Sequence, residues 1–106
     1  MAAVAILATL LSGLYGLVTH GPVTPVCRVD APCTAPFVRA TLLFSRPGTT
    51  TRRVTTDAKG RYRIALLPGR WSLRVQNAHF GWKPTSVTVP RGRYGHVNVN
   101  VDTGIR

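Results

Sequence analysis

The chain has 106 residues, with 14 Lys and Arg against 3 Asp and no Glu, for a formal net charge of +11. That length suits one domain with one modest core, and a charge this lopsided favours polyanionic partners. With Asp30, Asp57 and Asp102 as the only acids, paired-carboxylate chemistry has little to work with.

Residues 2–11, AAVAILATLL, are an uncharged apolar run with Thr9 inside it, followed by Ser12 and Gly13. That is the length of a signal-peptide core, although no basic residue precedes it and the first arginine is Arg28. Residues 1–12 therefore read as a signal peptide or a retained N-terminal anchor, and residues 13–106 as the folded domain. A full transmembrane helix fits less well, because Ser12, Gly13, Tyr15 and Gly16 interrupt the apolar run at the lower limit of spanning length.

A first strand is expected over residues 14–19. A loop with Pro22, Pro25, Pro32 and Pro36 follows, since proline cannot donate to a ladder. Cys27 and Cys33 sit inside it, separated by RVDAP. After an apolar leader the pair reads as a local disulfide, which loop entropy values at roughly 2 kcal/mol. The alternative, a metal pair, lacks a second Cys or His pair at ligand spacing. Residues 38–45 form a second strand with Val38, Ala40, Leu42 and Phe44 inward. Arg46-Pro47-Gly48 turns the chain, and residues 51–56 form a short strand anchored by Val54.

Residues 56–75, TDAKGRYRIALLPGRWSLRV, carry the sharpest pattern. Asp57 can bond the backbone two residues on, and Gly60 can supply a positive φ. Tyr62, Ile64 and Leu66 then alternate with Arg61, Arg63 and Ala65. A Leu67-Pro68-Gly69 turn leads to Trp71, Leu73 and Val75, opposite Ser72 and Arg74. The period is two throughout, which argues strand and against helix. Residues 76–84 form a loop holding His79, Phe80, Trp82 and Lys83. Residues 86–89 and 96–101 are the last strands, with Val97, Val99 and Val101 inward.

The segment TDAKGRYRIALLPGRW resembles the core motif of carboxypeptidase regulatory-like domains, with Leu67 where that family more often has a first proline. The ending VDTGIR is similar to that of small secreted bacterial members. The resemblance extends over about residues 13–106. It implies an all-β fold: a two-sheet antiparallel transthyretin-like (prealbumin-like) sandwich of about seven strands, preceded by the apolar segment. The motif is specific for the fold rather than for a function; no catalysis and no cofactor are expected, on the missing motifs given below. A fold so widely reused does not itself name a ligand.

Two sets of residues are candidates for function. The first is an anion-binding group of outward arginines, Arg61, Arg63, Arg74 and Arg39. A hairpin of the two central strands would set Leu66 against Trp71 and Arg63 against Arg74, and like charges directly across a ladder invite an anion. If the strands instead cross between sheets, as the resemblance implies is possible, Arg61 and Arg63 lie on one outer face, with Arg39 and Arg74 on the other. The second set is Phe80 and Trp82, either as an interface or as a cap on the open end of the core. His20, His79 and His96 are scattered, so no metal site is expected. The Tyr-Arg-Gly-Ser ending of hydroxyisourate hydrolases, the iron-binding Tyr and His set of intradiol dioxygenases, GxSxG and phosphate loops are all missing.

These features point to a secreted or envelope-associated, extracytoplasmic, non-enzymatic accessory protein. Its expected partner is another envelope protein or an anionic polymer. No specific nucleic acid is expected, and membrane contact comes only through residues 1–12 if they are retained.

Overall fold

The computed structural model describes residues 12–22 and 33–104. Among these the chain is all-β, with ten strands in order: β1 (Gly13–Gly21), β2 (Ala35–Pro36), β3 (Thr41–Ser45), β4 (Arg52–Thr55), β5 (Arg61–Ala65), β6 (Gly69–Val75), β7 (Trp82–Lys83), β8 (Ser86–Val89), β9 (Tyr94–His96) and β10 (Val99–Asp102). Seven of them have four residues or more, in line with the expected count. β2 and β7 are two-residue strands within segments expected to be loops.

The strands form two sheets. One has four strands in the order β4-β3-β6-β8, all antiparallel. The other has six and is built around β1, which changes partners along its length. Residues 13–17 of β1 pair with β5 antiparallel, and residues 13–15 pair with the whole of β9 parallel. Residues 18–21 pair with β10 parallel and with β2 antiparallel, and β7 adds to β10. The sandwich is therefore not purely antiparallel, because both C-terminal strands run alongside β1 in its own direction.

That change of partner breaks the last expected strand in two. β9 and β10 flank different halves of β1, and residues 97–98 bridge them. The Val97 amide donates to the Tyr15 carbonyl at 2.9 Å, and Leu17 N–H donates to the Asn98 side-chain oxygen at 3.0 Å. A Cβ at Gly16 would collide with the Val97 carbonyl, so glycine is what lets the bridge lie against β1.

The period-two rows form the core. Leu14, Val18, Leu42, Phe44, Tyr62, Ile64, Leu66, Trp71, Leu73, Val75, Val99 and Val101 are all buried, and removing such apolar area from water is the main stabilising contribution. Val38 departs from the expected row at 45 % exposed. Arg39 has φ 54°, and the strand begins only at Thr41, because a left-handed residue cannot continue a pleat. Ala40 nevertheless reaches the core.

The expected turn chemistry at residues 56–60 is present. Asp57 Oδ1 accepts the N–H groups of Lys59 and Arg61 at 2.8 and 2.9 Å, and Gly60 has φ 78°. The buried Thr56 hydroxyl donates to the Phe37 carbonyl and accepts the Ala40 N–H. The segment following β2 is thus fastened to the end of β4.

The two central strands do not form a hairpin. β5 pairs with β1, whereas β6 pairs with β3 and β8, so residues 66–68 carry the chain from one sheet to the other. Trp71 Nε1–H donates to the Leu67 carbonyl at 3.0 Å, and Arg46 donates to the Pro68 carbonyl at 3.1 Å. The Arg46 guanidinium also lies 4.3 Å from the centre of the Trp71 ring. Leu66, the last inward residue before the crossing, exchanges bonds with buried Ser12 through its N–H and C=O. Residues 1–11 and 23–32, which include most of the expected leader and Cys27, lie outside the described residues.

Candidate functional site

The crossing between sheets decides where the four candidate arginines go. Arg61 and Arg63 face outward on β5, and Arg74 faces outward on β6 in the other sheet. Arg39 is exposed in the turn before β3 rather than in a strand. No single cluster gathers all four, and Arg63 does not oppose Arg74. Arg61 Nε sits 3.2 Å from Asp57 Oδ2, which is the one ion pair among the described residues. The backbone N–H groups of Arg61 and Lys59 beside Asp57, together with the Arg61 charge, hold its carboxyl below the ordinary 3.8.

On the four-stranded sheet, register places Leu43 between Arg53 of β4 and Arg74 of β6. The next row along is Ser45, Ser72 and Ser86. Arg70 lies farther along β6 opposite Thr88, and its guanidinium donates to the Ser86 hydroxyl at 3.4 Å. Arg53 and Arg70 are not among the sequence candidates. They join Arg74 only through pairing between strands that are distant in sequence.

The outer face of the six-stranded sheet is different. Tyr15 of β1 stands between Arg63 of β5 and His96 of β9. Its ring centre is 5.0 Å from that of His96, at an interplanar angle of 33°. Tyr94, two residues before His96, is level with Gly13. The Arg63 guanidinium lies over the Tyr94 ring at 3.9 Å. A Cβ on Gly13 would come within 2.6 Å of that ring and would also collide with the Ile64 carbonyl. The missing side chain is therefore what lets Tyr94 settle beside β5. Tyr15 and Tyr94 carry no visible sequence signal, since they lie 79 positions apart by number in strands that the period-two pattern leaves unpaired.

Phe80 and Trp82 have separate roles. Trp82 packs against the core and donates its Nε1–H to the Leu73 carbonyl at 2.9 Å, as a core cap would. Phe80 is 61 % exposed, lies against Gly104, and borders an open cleft of about 520 Å³ with Trp82, Lys83, Asn100 and Asp102. His20 stacks on Phe37 at 4.8 Å, and His79 is exposed in the loop before β7. No group of three or more His, Cys, Asp or Glu forms among the described residues. Cys33 is half-buried ahead of β2. The expected bond to Cys27 involves a residue outside the described part.

A family model for the carboxypeptidase regulatory-like domain matches residues 28–102. The chain belongs to the carboxypeptidase regulatory-like domain family. No curated protein and no solved structure matches it. In this carboxypeptidase regulatory-like domain the family match begins after β1, yet β1 is the strand around which the six-stranded sheet is arranged. The family supplies a non-catalytic β-sandwich, and its recognisable motif is structural: Thr56 and Asp57 bind backbone, Gly60 turns it, and Tyr62 and Trp71 fill the core.

Buried Tyr62 anchors the motif to the rest of the sheet. Its hydroxyl donates to the Val97 carbonyl at 2.6 Å, and burial pushes its ionisation well above the ordinary tyrosine value. It holds the bridge between β9 and β10 in place and is not available to a ligand.

Proposed function

We propose that this domain is a secreted or envelope-associated, non-catalytic interaction module that holds an anionic polymer or surface through its outward arginines. The observation that carries this reading is that few of the arginines are ion-paired among the described residues. Arg53, Arg63, Arg70 and Arg74 are exposed across two opposite sheets, while the one ion pair among the described residues uses Arg61. A net charge of +11 raises the local concentration of polyanions and speeds their association. The apolar residues 2–11 and the Cys27–Cys33 pair support an extracytoplasmic location.

Retention on immobilised heparin and on vesicles containing anionic lipid, across a salt series, tests the reading. Binding is expected at low ionic strength, to weaken steeply with salt, and to drop further in the double variant Arg53→Ser/Arg74→Ser. Failure to bind either matrix at low salt overturns the reading, as does unchanged retention of the double variant. Alkylation of secreted protein without reductant tests the compartment: blocked cysteines are expected, and two reactive thiols rule the disulfide out.

A further inference from the structure

We propose that Tyr15, Arg63, Tyr94 and His96 form a face that recognises an acidic sugar, a uronic-acid unit of an anionic polysaccharide. The inference rests on the polyanion reading above and assigns part of it to one face and one ligand chemistry. Three strands build the face in fixed register, with Tyr15 at the centre and Arg63 and His96 on either side. Tyr15 is 41 % exposed and His96 is exposed, so ring surface is open to solvent.

Arg63 is pre-positioned. Its guanidinium carbon lies 3.9 Å from the centre of the Tyr94 ring, a contact that restrains the side chain and lowers the entropy cost of using it. A cation–π contact uses none of the guanidinium's N–H donors as hydrogen bonds to an acceptor atom, and their fork matches a carboxylate. The outward positions of the three strands hold Gly13, Tyr15, Leu17, Arg61, Arg63 and Ala65, followed by Tyr94 and His96, with no acid among them. The nearby carboxylate of Asp57 is already occupied by Arg61. Charge complementarity therefore calls for an anion beside the rings.

The extracytoplasmic reading above favours a sugar over a nucleobase, and the ring geometry offers a base no two-sided clamp. Tyr15 and His96 lean on each other at 33° and leave no slot between parallel faces for a base to enter. A pyranose needs only one open ring face for its axial C–H groups and one neighbouring donor for its carboxylate. Tyr15 and Arg63, directly paired across β1 and β5, offer that combination.

The test compares a short oligogalacturonate, a polyglutamate of matched charge and a single-stranded oligothymidylate by calorimetry on the full chain. The oligogalacturonate is expected to bind more tightly than polyglutamate. Tyr15→Leu, which keeps an apolar group at a half-exposed strand position, should weaken the sugar by about tenfold and leave polyglutamate unchanged. Arg63→Lys, which keeps the charge and loses the planar fork, should weaken the sugar by a smaller factor. Unchanged melting temperatures confirm that both variants are folded. Sugar binding indifferent to Tyr15→Leu overturns this inference while leaving the electrostatic reading intact. Tighter, Tyr15-dependent binding of the thymidylate overturns it in favour of single-stranded nucleic acid. Failure of the wild type to bind any of the three polyanions removes both readings.

Discussion

On the four-stranded sheet, Arg53 and Arg74 flank Leu43 above a row of three serines. On the six-stranded sheet, Arg63 flanks Tyr15 and rests on Tyr94. Both faces are basic, yet only one combines charge with rings. The first is a field of separate cations over small hydroxyls, suited to long-range attraction that salt screens. The second holds an arginine against an aromatic ring beside open ring surface, suited to contact recognition. The difference follows from which strands each sheet gathers. β3, β4, β6 and β8 turn Ser, Thr, Arg and a single Leu outward, whereas β1 and β9 bring tyrosine, histidine and glycine.

Both faces depend on the sheets staying joined, and the crossing at residues 66–68 ties them together. Trp71 lies just beyond it in β6, 2 % exposed, under the Arg46 guanidinium and bonded to the Leu67 carbonyl. Trp71→Ala removes the largest fully buried side chain and is expected to cost about 3–5 kcal/mol through lost burial and the cavity left behind. Denaturant unfolding should register that loss, and both faces should lose ligand binding together. A variant that unfolded one sheet while preserving the other would show that the faces are energetically separate units.

Much of the fold is legible in the sequence because strand period and turn chemistry are local. Tyr62, Ile64 and Leu66 alternate inward, Asp57 and Gly60 make their turn, and Leu67-Pro68 ends the strand without needing distant information. The partners of β1 are not legible. No local rule states that β1 pairs with β9 and β10 in parallel, or that Gly13 and Gly16 admit Tyr94 and the Val97 carbonyl. The candidate site follows the same division. Each strand arginine reads as outward, but its neighbour does not, so the period-two pattern can set Arg63 against Arg74 when its actual companions are Tyr15 and Tyr94. Arg39 reads as a strand residue because nothing in its side chain announces a left-handed turn. Trp82 and Phe80 look equivalent in sequence, and only the position of the Leu73 carbonyl separates them.

Tyr62→Phe sharpens the contrast from beneath the ring-bearing face. The hydroxyl bond to the Val97 carbonyl fastens the bridge that leads from β9 to β10. Its removal strands a half-buried acceptor and is expected to cost about 1 kcal/mol. Burial raises the tyrosine ionisation in the folded state. Stability is therefore fully present below the unfolded-state value of 10.0 and is lost as pH rises beyond it, where the unfolded chain can ionise and the folded one resists. Melting curves should show the wild type weakening above that pH, and Tyr62→Phe should show less of this alkaline loss. Equal alkaline loss in both proteins would place its origin elsewhere.

The smallest expected effect comes from the turn that leads into β5. Asp57 is exposed, and its carboxylate accepts two backbone N–H groups and pairs with Arg61. Its ionisation lies below the ordinary 3.8, so its contribution is present above that value and is lost as pH falls through the lower folded-state one. Asp57→Asn keeps an acceptor for the turn and gives up the charge. It should melt slightly below the wild type at neutral pH, and the gap should close under strongly acidic conditions. The turn feeds β5 and therefore Arg63, so amide exchange should quicken in β5 with β3 unchanged. Equal quickening in β3 would mean that the two faces share one fate even under a mild disturbance, and the contrast between them would then lie in surface chemistry alone.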